Sequence, residues 1–368
     1  MIDRKRLVAC FLELVRIDSP SGDEDLMAQE MIHRLTSLNV EVWEDDHGNV
    51  LGRYPNPTSS VDTIGLPILL SAHLDTVEPG KGITPEFDGP DIIRSDGTTI
   101  LAADDKGGCA VILEVLQSLQ DEVSQHRPLE IVLTRGEEIG LVGAVNLNYS
   151  DLSSNIAIVI DAGGPPTTIQ SASPYYYGYD IQVIGRAAHA GLEPEKGVPA
   201  IRIASEIVVG LPQGRLDDET TGNVGIISGG HVVNAVPDRC RIQGEMRSMS
   251  KETVELLVAD AKVHLDQVRE AWPDAEIDAD FDLKMPGFKL DPLDPAATLI
   301  FKVLESLQMT PAPQAFGGGT DGNIFRGHGI ASVVIGRGGY EQHTVDEYLV
   351  IPEMLDCAKV VETACMTA

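Results

Sequence analysis

Three stretches decide the fold: Pro67-Ile-Leu-Leu-Ser-Ala72, Leu129-Glu-Ile-Val-Leu133 and Ile156-Ala-Ile-Val-Ile160. Each is short, rich in branched aliphatic side chains and almost unbroken by polar residues, the composition of strands buried on both faces of a sheet that helices cover. Apolar spacing over about 107–120 predicts a helix between the first two. Toward the N-terminus, Leu7, Val8, Phe11, Leu12 and Val15 fall on one helical face across 5–16, and a second helix is expected over about 24–37. These elements predict an α/β domain with a mostly parallel sheet.

In the other direction the pattern changes after Ser171. Residues 177–184 and 223–228 read as strands, and 198–210 as a helix with Ala200, Ala204, Ile207 and Val208 on one face. Residues 239–247 alternate strictly. Cys240, Ile242, Gly244 and Met246 face one way, and Arg239, Arg241, Gln243, Glu245 and Arg247 the other, as in an antiparallel strand with one solvated face. A polar helix over 250–271 and a strand over 275–283 complete a β-α-β-β-α-β order, the split, ferredoxin-like arrangement. Met285-Pro286-Gly287 ends it. A helix over 294–307, a glycine-rich loop at 317–322, a strand Ala331–Ile335 and a helix over 352–366 return to the earlier style. Residues 1–173 and 287–368 are therefore expected to form one discontinuous domain, with 174–286 inserted into it.

The 368 residues carry 27 basic and 57 acidic side chains, a net charge of −30. That balance repels phosphate backbones and anionic membrane surfaces, which need clustered Lys and Arg. Nucleic acid and membranes are thus excluded as expected partners, and cations are favoured. No apolar run approaches the roughly 18 residues that cross a bilayer, and the amphipathic stretch that follows the N-terminus carries Glu13, Arg16 and Asp18 where a signal peptide has an apolar core. A soluble, cytoplasmic protein is expected. The five cysteines, odd in number and without a Cys-x-x-Cys pair, offer neither a disulfide framework nor a thiolate metal site.

Histidines and acids gather at strand ends or just beyond them, where open α/β sheets place their ligands. They are His73-Leu-Asp75, Asp104-Asp105-Lys-Gly-Gly108, Glu137-Glu138, Asp161 and Gln342-His343-Thr344. Each has an ordinary explanation alone. His73 and Asp75, alternate residues of an extended segment, suit an imidazole whose second nitrogen a carboxylate holds, but His-x-Asp is also a common surface contact. Asp104 and Asp105 open a helix, where acids cap free N–H groups. Glu137 and Glu138 would repel each other unless a cation or proton intervened. With a cation present, one Glu could bind it while its neighbour served as general base. Asp161 could simply begin a turn. Together, however, these residues offer nitrogen and oxygen ligands to two adjacent cations, a set suited to Zn²⁺, Co²⁺ or Mn²⁺. Two such ions about 3.5–4 Å apart activate a water and polarise a carbonyl, so hydrolysis is the expected chemistry.

Five segments carry a family resemblance: Ser71-Ala-His73-Leu-Asp75-Thr-Val77, Asp96-Gly-Thr-Thr-Ile-Leu-Ala-Ala-Asp104-Asp105-Lys-Gly107, Glu137-Glu138-Ile-Gly-Leu-Val-Gly143, Gly185-Arg-Ala-Ala-His189-Ala-Gly191 and Gly339-Tyr-Glu-Gln-His343. In this order, across nearly the whole chain, they resemble the M20 family of metallopeptidases, most closely its peptidase T-like branch. The resemblance implies a zinc-exopeptidase-like catalytic domain with an inserted lid and dimerisation domain, working as a homodimer. It implies His73, Asp104 and Asp161 on one metal, and Asp104, Glu138 and His343 on the other, zinc before cobalt or manganese. It further implies Glu137 as general base, Asp75 behind His73, and a cis peptide bond after Asp104. His189 would reach the partner subunit's site and donate to the developing oxyanion. Asn234, Arg247 and Thr320 would contact substrate, the guanidinium suiting a carboxylate.

Taken on the residues alone, His189 fits an ordinary loop histidine and Arg247 a partner of Glu245. The Gly317–Gly322 loop lacks the Gly-Lys-Ser/Thr ending of a phosphate loop. The chain has Ala102, Gly107 and Ile139 where the branch often has Gly, Ala and Ser, and none of these is an implied ligand. The expected activity is a dinuclear zinc exopeptidase acting on short peptides, as an aminopeptidase on tripeptides. The alternatives are a carboxypeptidase or N-acyl-amino-acid amidohydrolase with the same metal chemistry, and a catalytically silent binding or scaffold protein of the same fold. A nicotinamide dehydrogenase would need a glycine-rich turn where His73-Leu-Asp75 stands.

Overall fold

Four parallel strands, Leu129–Thr134, Ile68–His73, Ile156–Ala162 and Ala331–Gly336, lie side by side in that order at the centre of a large sheet. Register pairs Ile68 with both Leu129 and Ile156, and Ala331 with Ile156, so all four strands end along one edge. The first two are buried at every position, which is why their sequences show no alternation. Antiparallel strands complete the sheet: Val50–Tyr54 and then Glu41–Glu44 on one side, and Thr168–Ser173 beside Ala331–Gly336 on the other.

These strands belong to a computed structural model that describes residues 1–55, 66–122 and 125–367. It divides into two units: Met1–Ser171 with Leu290–Phe316 and Thr320–Ala368, and Ala172–Lys289 with Gly317–Gly319. In the first unit, helix Ala103–Glu122 packs on Ile68–His73 and against helices Arg4–Leu14 and Ile351–Met366. Arg4–Leu14 starts where the Asp3 carboxylate accepts the Lys5 and Arg6 N–H groups, and it buries Leu7, Phe11 and Leu14 on one stripe. A smaller sheet of Glu86–Asp88, Ile92–Arg94, Tyr348–Val350 and Gly339–Tyr340 ties the segment around His343 to the loop that precedes Asp104.

The second unit is an antiparallel sheet in the order Gly214–Asp217, Thr220–Gly229, Arg239–Ser248, Tyr175–Ile184, Glu276–Met285. Helices Ala200–Gly210 and Lys251–Ala271 pack on it. The alternating strand turns Cys240, Ile242 and Met246 inward and leaves Arg239 and Arg241 exposed. Lys251–Ala271 buries Val254, Val258, Ala261, Leu265 and Val268, three or four residues apart, and the Ser250 hydroxyl caps it through Thr253 N–H. Gly214–Asp217 is an added edge strand, joined as a hairpin to the β-α-β-β-α-β set. Among the described residues, no helix is long and apolar enough to cross a membrane.

Candidate metal centre

Because the four parallel strands end together, the residues at and just beyond their C-terminal ends meet at one edge of the sheet. His73 is the last residue of its strand, Asp161 the penultimate residue of its own, and Glu137-Glu138 come after Thr134 and a turn at Arg135-Gly136. His73 Nε2 lies 2.9 Å from Asp104 Oδ1 and 3.6 Å from Asp161 Oδ1. His343 Nε2 lies 3.4 Å from the other oxygen of the same carboxylate, Asp104 Oδ2, and 3.0 Å from Glu138 Oε1. Asp104 therefore presents one oxygen to each of two His/carboxylate groups.

The two adjacent aspartates do different work. Both have non-helical backbone ahead of the regular helix that starts at Lys106, and the peptide between them is cis. Asp105, fully buried, accepts Gly108 N–H at 3.0 Å and His73 N–H at 3.3 Å, so it caps the helix and pins the end of the strand. A Cβ on Gly108 would stand 2.6 Å from both Asp105 Oδ1 and the Ile160 carbonyl, so only glycine lets this helix seat against the sheet. Asp104 is left to face the histidines.

Asp75 organises the opposite wall. Its Oδ1 accepts Glu137 N–H at 2.9 Å, and its Oδ2 accepts Glu138 N–H at 3.1 Å and the Ser21 hydroxyl at 2.7 Å. His73 Nδ1 faces the Asp75 backbone carbonyl at 3.0 Å and Oδ1 at 3.4 Å, so both the main chain and the carboxylate of Asp75 orient the imidazole. Burial alone would raise the Asp75 carboxyl, but His73, Ser21 and the Glu137 N–H hold it below its usual range.

Charges in the cluster reflect burial and crowding. Burial would raise Asp104, yet Arg337, His343 and His73 hold it well below the ordinary carboxylate range. Glu137 is pushed well above its usual value, by burial first and then by Asp161. Glu138 is raised by burial, against relief from His343, whose Nε2 faces its buried Oε1. Asp104 and then Glu138 push His343 up to about 10. Buried carboxylates crowded against two imidazoles are the nitrogen and oxygen donor set of a divalent cation. His73, Asp104 and Glu138 offer ligand atoms all within 4.8 Å of one another, as do His73, Asp105 and Asp161.

Two buried ions escaped sequence reasoning. Glu347 accepts the N–H groups of Leu101, Ala102 and Asp104 at 2.7, 2.8 and 3.0 Å, anchoring the turn that delivers Asp104; burial and Asp104 push it up to about 7. In that turn Ala102 adopts φ +62°, a conformation easiest for glycine. Arg337, fully buried, reaches Asp104, Asp105 and Asp161.

Of the expected substrate contacts, His189, Asn234 and Arg247 lie in the second unit. The His189 and Asn234 loops are zipped together by Ala190 N–H to the Asn234 carbonyl and Val236 N–H to the Ala188 carbonyl, at 3.0 and 2.9 Å, and both side chains are exposed. Arg247 pairs with Glu245 at 3.0 Å, donates to the Gly317 carbonyl at 3.1 Å and stacks on Tyr176. Thr320, in the first unit, caps helix Asp321–Gly327 with its hydroxyl.

The sequence profile of Peptidase family M28 matches residues 49–173, and that of the peptidase dimerisation domain, M20_dimer, matches 175–273. The uncharacterized protein YqjE of Bacillus subtilis (strain 168) is 35% identical over 369 residues, 98% of each chain. The crystal structure of aminopeptidase PepT from Bacillus cereus ATCC 10987 is 35% identical, with a TM-score of 0.86 over 99% of this chain and 98% of that one. A tripeptidase structure from Staphylococcus aureus subsp. aureus mu50 is 30% identical, with a TM-score of 0.88 over 100% and 98%. The chain belongs to the M20 family of metallopeptidases. Within that family it is peptidase T-like, and it is a peptide hydrolase that uses divalent metal.

Proposed function

We propose that this protein is a dinuclear zinc exopeptidase that removes the N-terminal residue from short peptides, tripeptides foremost. The observation that carries the reading is the divided carboxylate of Asp104, with His73 at 2.9 Å on one oxygen and His343 at 3.4 Å on the other. In this reading His73, Asp104 and Asp161 hold one ion, and Asp104, Glu138 and His343 hold the second. Bound there, the ions supply Lewis-acid polarisation of the scissile carbonyl and make water acidic enough to attack at neutral pH.

Glu137 is the general base. Raised by burial and by Asp161, its carboxylate takes a proton from the attacking water and returns it to the leaving amine. Asp75 holds the Glu137 and Glu138 backbone and the His73 ring in place. His189 donates to the developing oxyanion from a partner subunit, Asn234 and Arg247 receive the peptide backbone or its terminal carboxylate, and Thr320 lines the substrate loop. The match of residues 175–273 to a dimerisation domain supports a homodimer formed through the inserted segment 174–286, with 1–173 and 287–368 carrying the chemistry. All five cysteines are unpaired, in keeping with a reducing cytoplasm.

The test is hydrolysis of free, N-acylated and C-amidated di- and tripeptides by zinc-loaded protein. A requirement for a free α-amine supports the aminopeptidase. Preference for N-acylated substrates or for a free C-terminus would transfer the assignment to an amidohydrolase or carboxypeptidase, and no turnover of any peptide would favour a silent binding protein.

A further inference from the structure

The Arg337 guanidinium is distributed unevenly over the acid cluster. Nη2 lies 2.7 Å from Asp104 Oδ1, Nη1 3.4 Å from Asp161 Oδ1 and Nε 3.2 Å from Asp105 Oδ1. It cannot swing away freely, because Nε also donates to the Ala103 carbonyl at 2.8 Å and Nη1 to the Ala162 carbonyl at 3.2 Å, and the whole side chain is buried. Its stem passes Gly107, where a Cβ would stand 3.4 Å from Arg337 Cδ. Asp104 Oδ1 and Asp161 Oδ1 are the oxygens that face His73. Among the described residues the guanidinium's ion pairs are with Asp104, Asp105 and Asp161, its shortest contact to Asp104 being to Oδ1, and Glu138, which faces His343, is not one of them. A permanent positive charge therefore sits on one half of the cluster.

We propose that Arg337 makes the two cation positions unequal, so that a divalent ion fills the Asp104/Glu138/His343 position first and the His73/Asp104/Asp161 position only at higher free metal. This rests on the two-cation reading above. A fixed cation opposes a second cation on the same oxygens by direct repulsion, and a guanidinium cannot relieve that by losing its proton. At scarce zinc the protein holds one ion, and Arg337 sets the concentration at which the second arrives.

The test is a zinc titration of the full-length protein in chelator-buffered solution, read as bound zinc per chain and not as activity. Wild type is expected to load in two steps separated on the order of tenfold or more, and Arg337→Met to tighten the second step by a similar factor. Arg337→Lys, which keeps the charge, should keep two steps. Because removing a buried partner of three carboxylates can cost folding, the same titration is run on His343→Ala, which should lose the tight step, and on His73→Ala, which should lose the weak one. Two ions binding wild type with equal affinity, or His73→Ala losing the tight step, overturns the role of Arg337 and leaves the two-cation reading standing. No zinc bound at any concentration overturns both.

Discussion

Asp75→Asn is the sharpest local perturbation of this site, because it changes charge and hydrogen-bond polarity with almost no change of shape. The carboxylate is fully buried and accepts from Glu137 N–H, Glu138 N–H and the Ser21 hydroxyl while facing His73 Nδ1. The new amide nitrogen must replace one oxygen. At Oδ1 it would oppose both Glu137 N–H and the His73 ring nitrogen, so the better placement is Oδ2, where the Ser21 hydroxyl turns to accept and only Glu138 N–H is left facing a donor. One buried N–H without an acceptor costs about 1–3 kcal/mol, which urea unfolding of the metal-free protein should register. The loss of negative charge behind His73 and the displacement of the Glu138 backbone should lower zinc affinity by about 10- to 100-fold, or about 1.4–2.8 kcal/mol, in competition with a chromogenic chelator. Ser21→Ala is the control and should leave zinc affinity within about threefold, since a neutral hydrogen bond contributes only about 0.5–1.5 kcal/mol. Unchanged zinc affinity in Asp75→Asn, in a variant that folds, would refute the reasoning that Asp75 holds the ligands in place.

Glu137→Gln should bind zinc as wild type does and lose about 100- to 10,000-fold in kcat; undiminished turnover removes Glu137 as the base. Zinc binding should become tighter as pH rises. Carboxylates hold His343 up to about 10 and, against burial, hold His73 above its usual value, so a coordinating ion competes with protons for the imidazoles. Calorimetry in buffers of different ionisation enthalpy should therefore find net proton release as zinc loads, and zero release would contradict the electrostatic picture. If His189 serves the neighbouring subunit, mixing inactive His189→Ala with inactive Glu137→Gln should restore part of the activity through hybrid dimers. Demonstrated subunit exchange without rescue would count against a shared site.

The central strands were legible because Ile68–His73 and Leu129–Thr134 are buried on both faces, so their sequences carry an uninterrupted apolar signal. The alternating Arg239–Ser248 and the stripe of Lys251–Ala271 were equally plain. The hairpin Glu41–Glu44 with Val50–Tyr54 and the strands Glu86–Asp88, Ile92–Arg94 and Tyr348–Val350 were not anticipated. They are three to five residues long, and Arg94 finds Tyr348 across some two hundred and fifty positions of chain, beyond the reach of any local pattern. Residue chemistry alone left Asp104 and Asp105 interchangeable. The structure separates them by backbone: one faces the histidines and the other caps the helix. Arg337 and Glu347 carried no signal because each reads as a surface charge in a loop until the fold buries it. A glycine stands on either side of Arg337, but nothing in that spacing points toward Asp104.

Two cations sharing Asp104 are the foundation of the proposed chemistry. Anomalous diffraction at the zinc edge, from crystals equilibrated with saturating zinc, locates them directly. It should show two peaks per chain on either side of the Asp104 carboxylate, one beside His73 and Asp161 and the other beside Glu138 and His343. A single peak under saturation, or peaks remote from Asp104, would contradict it.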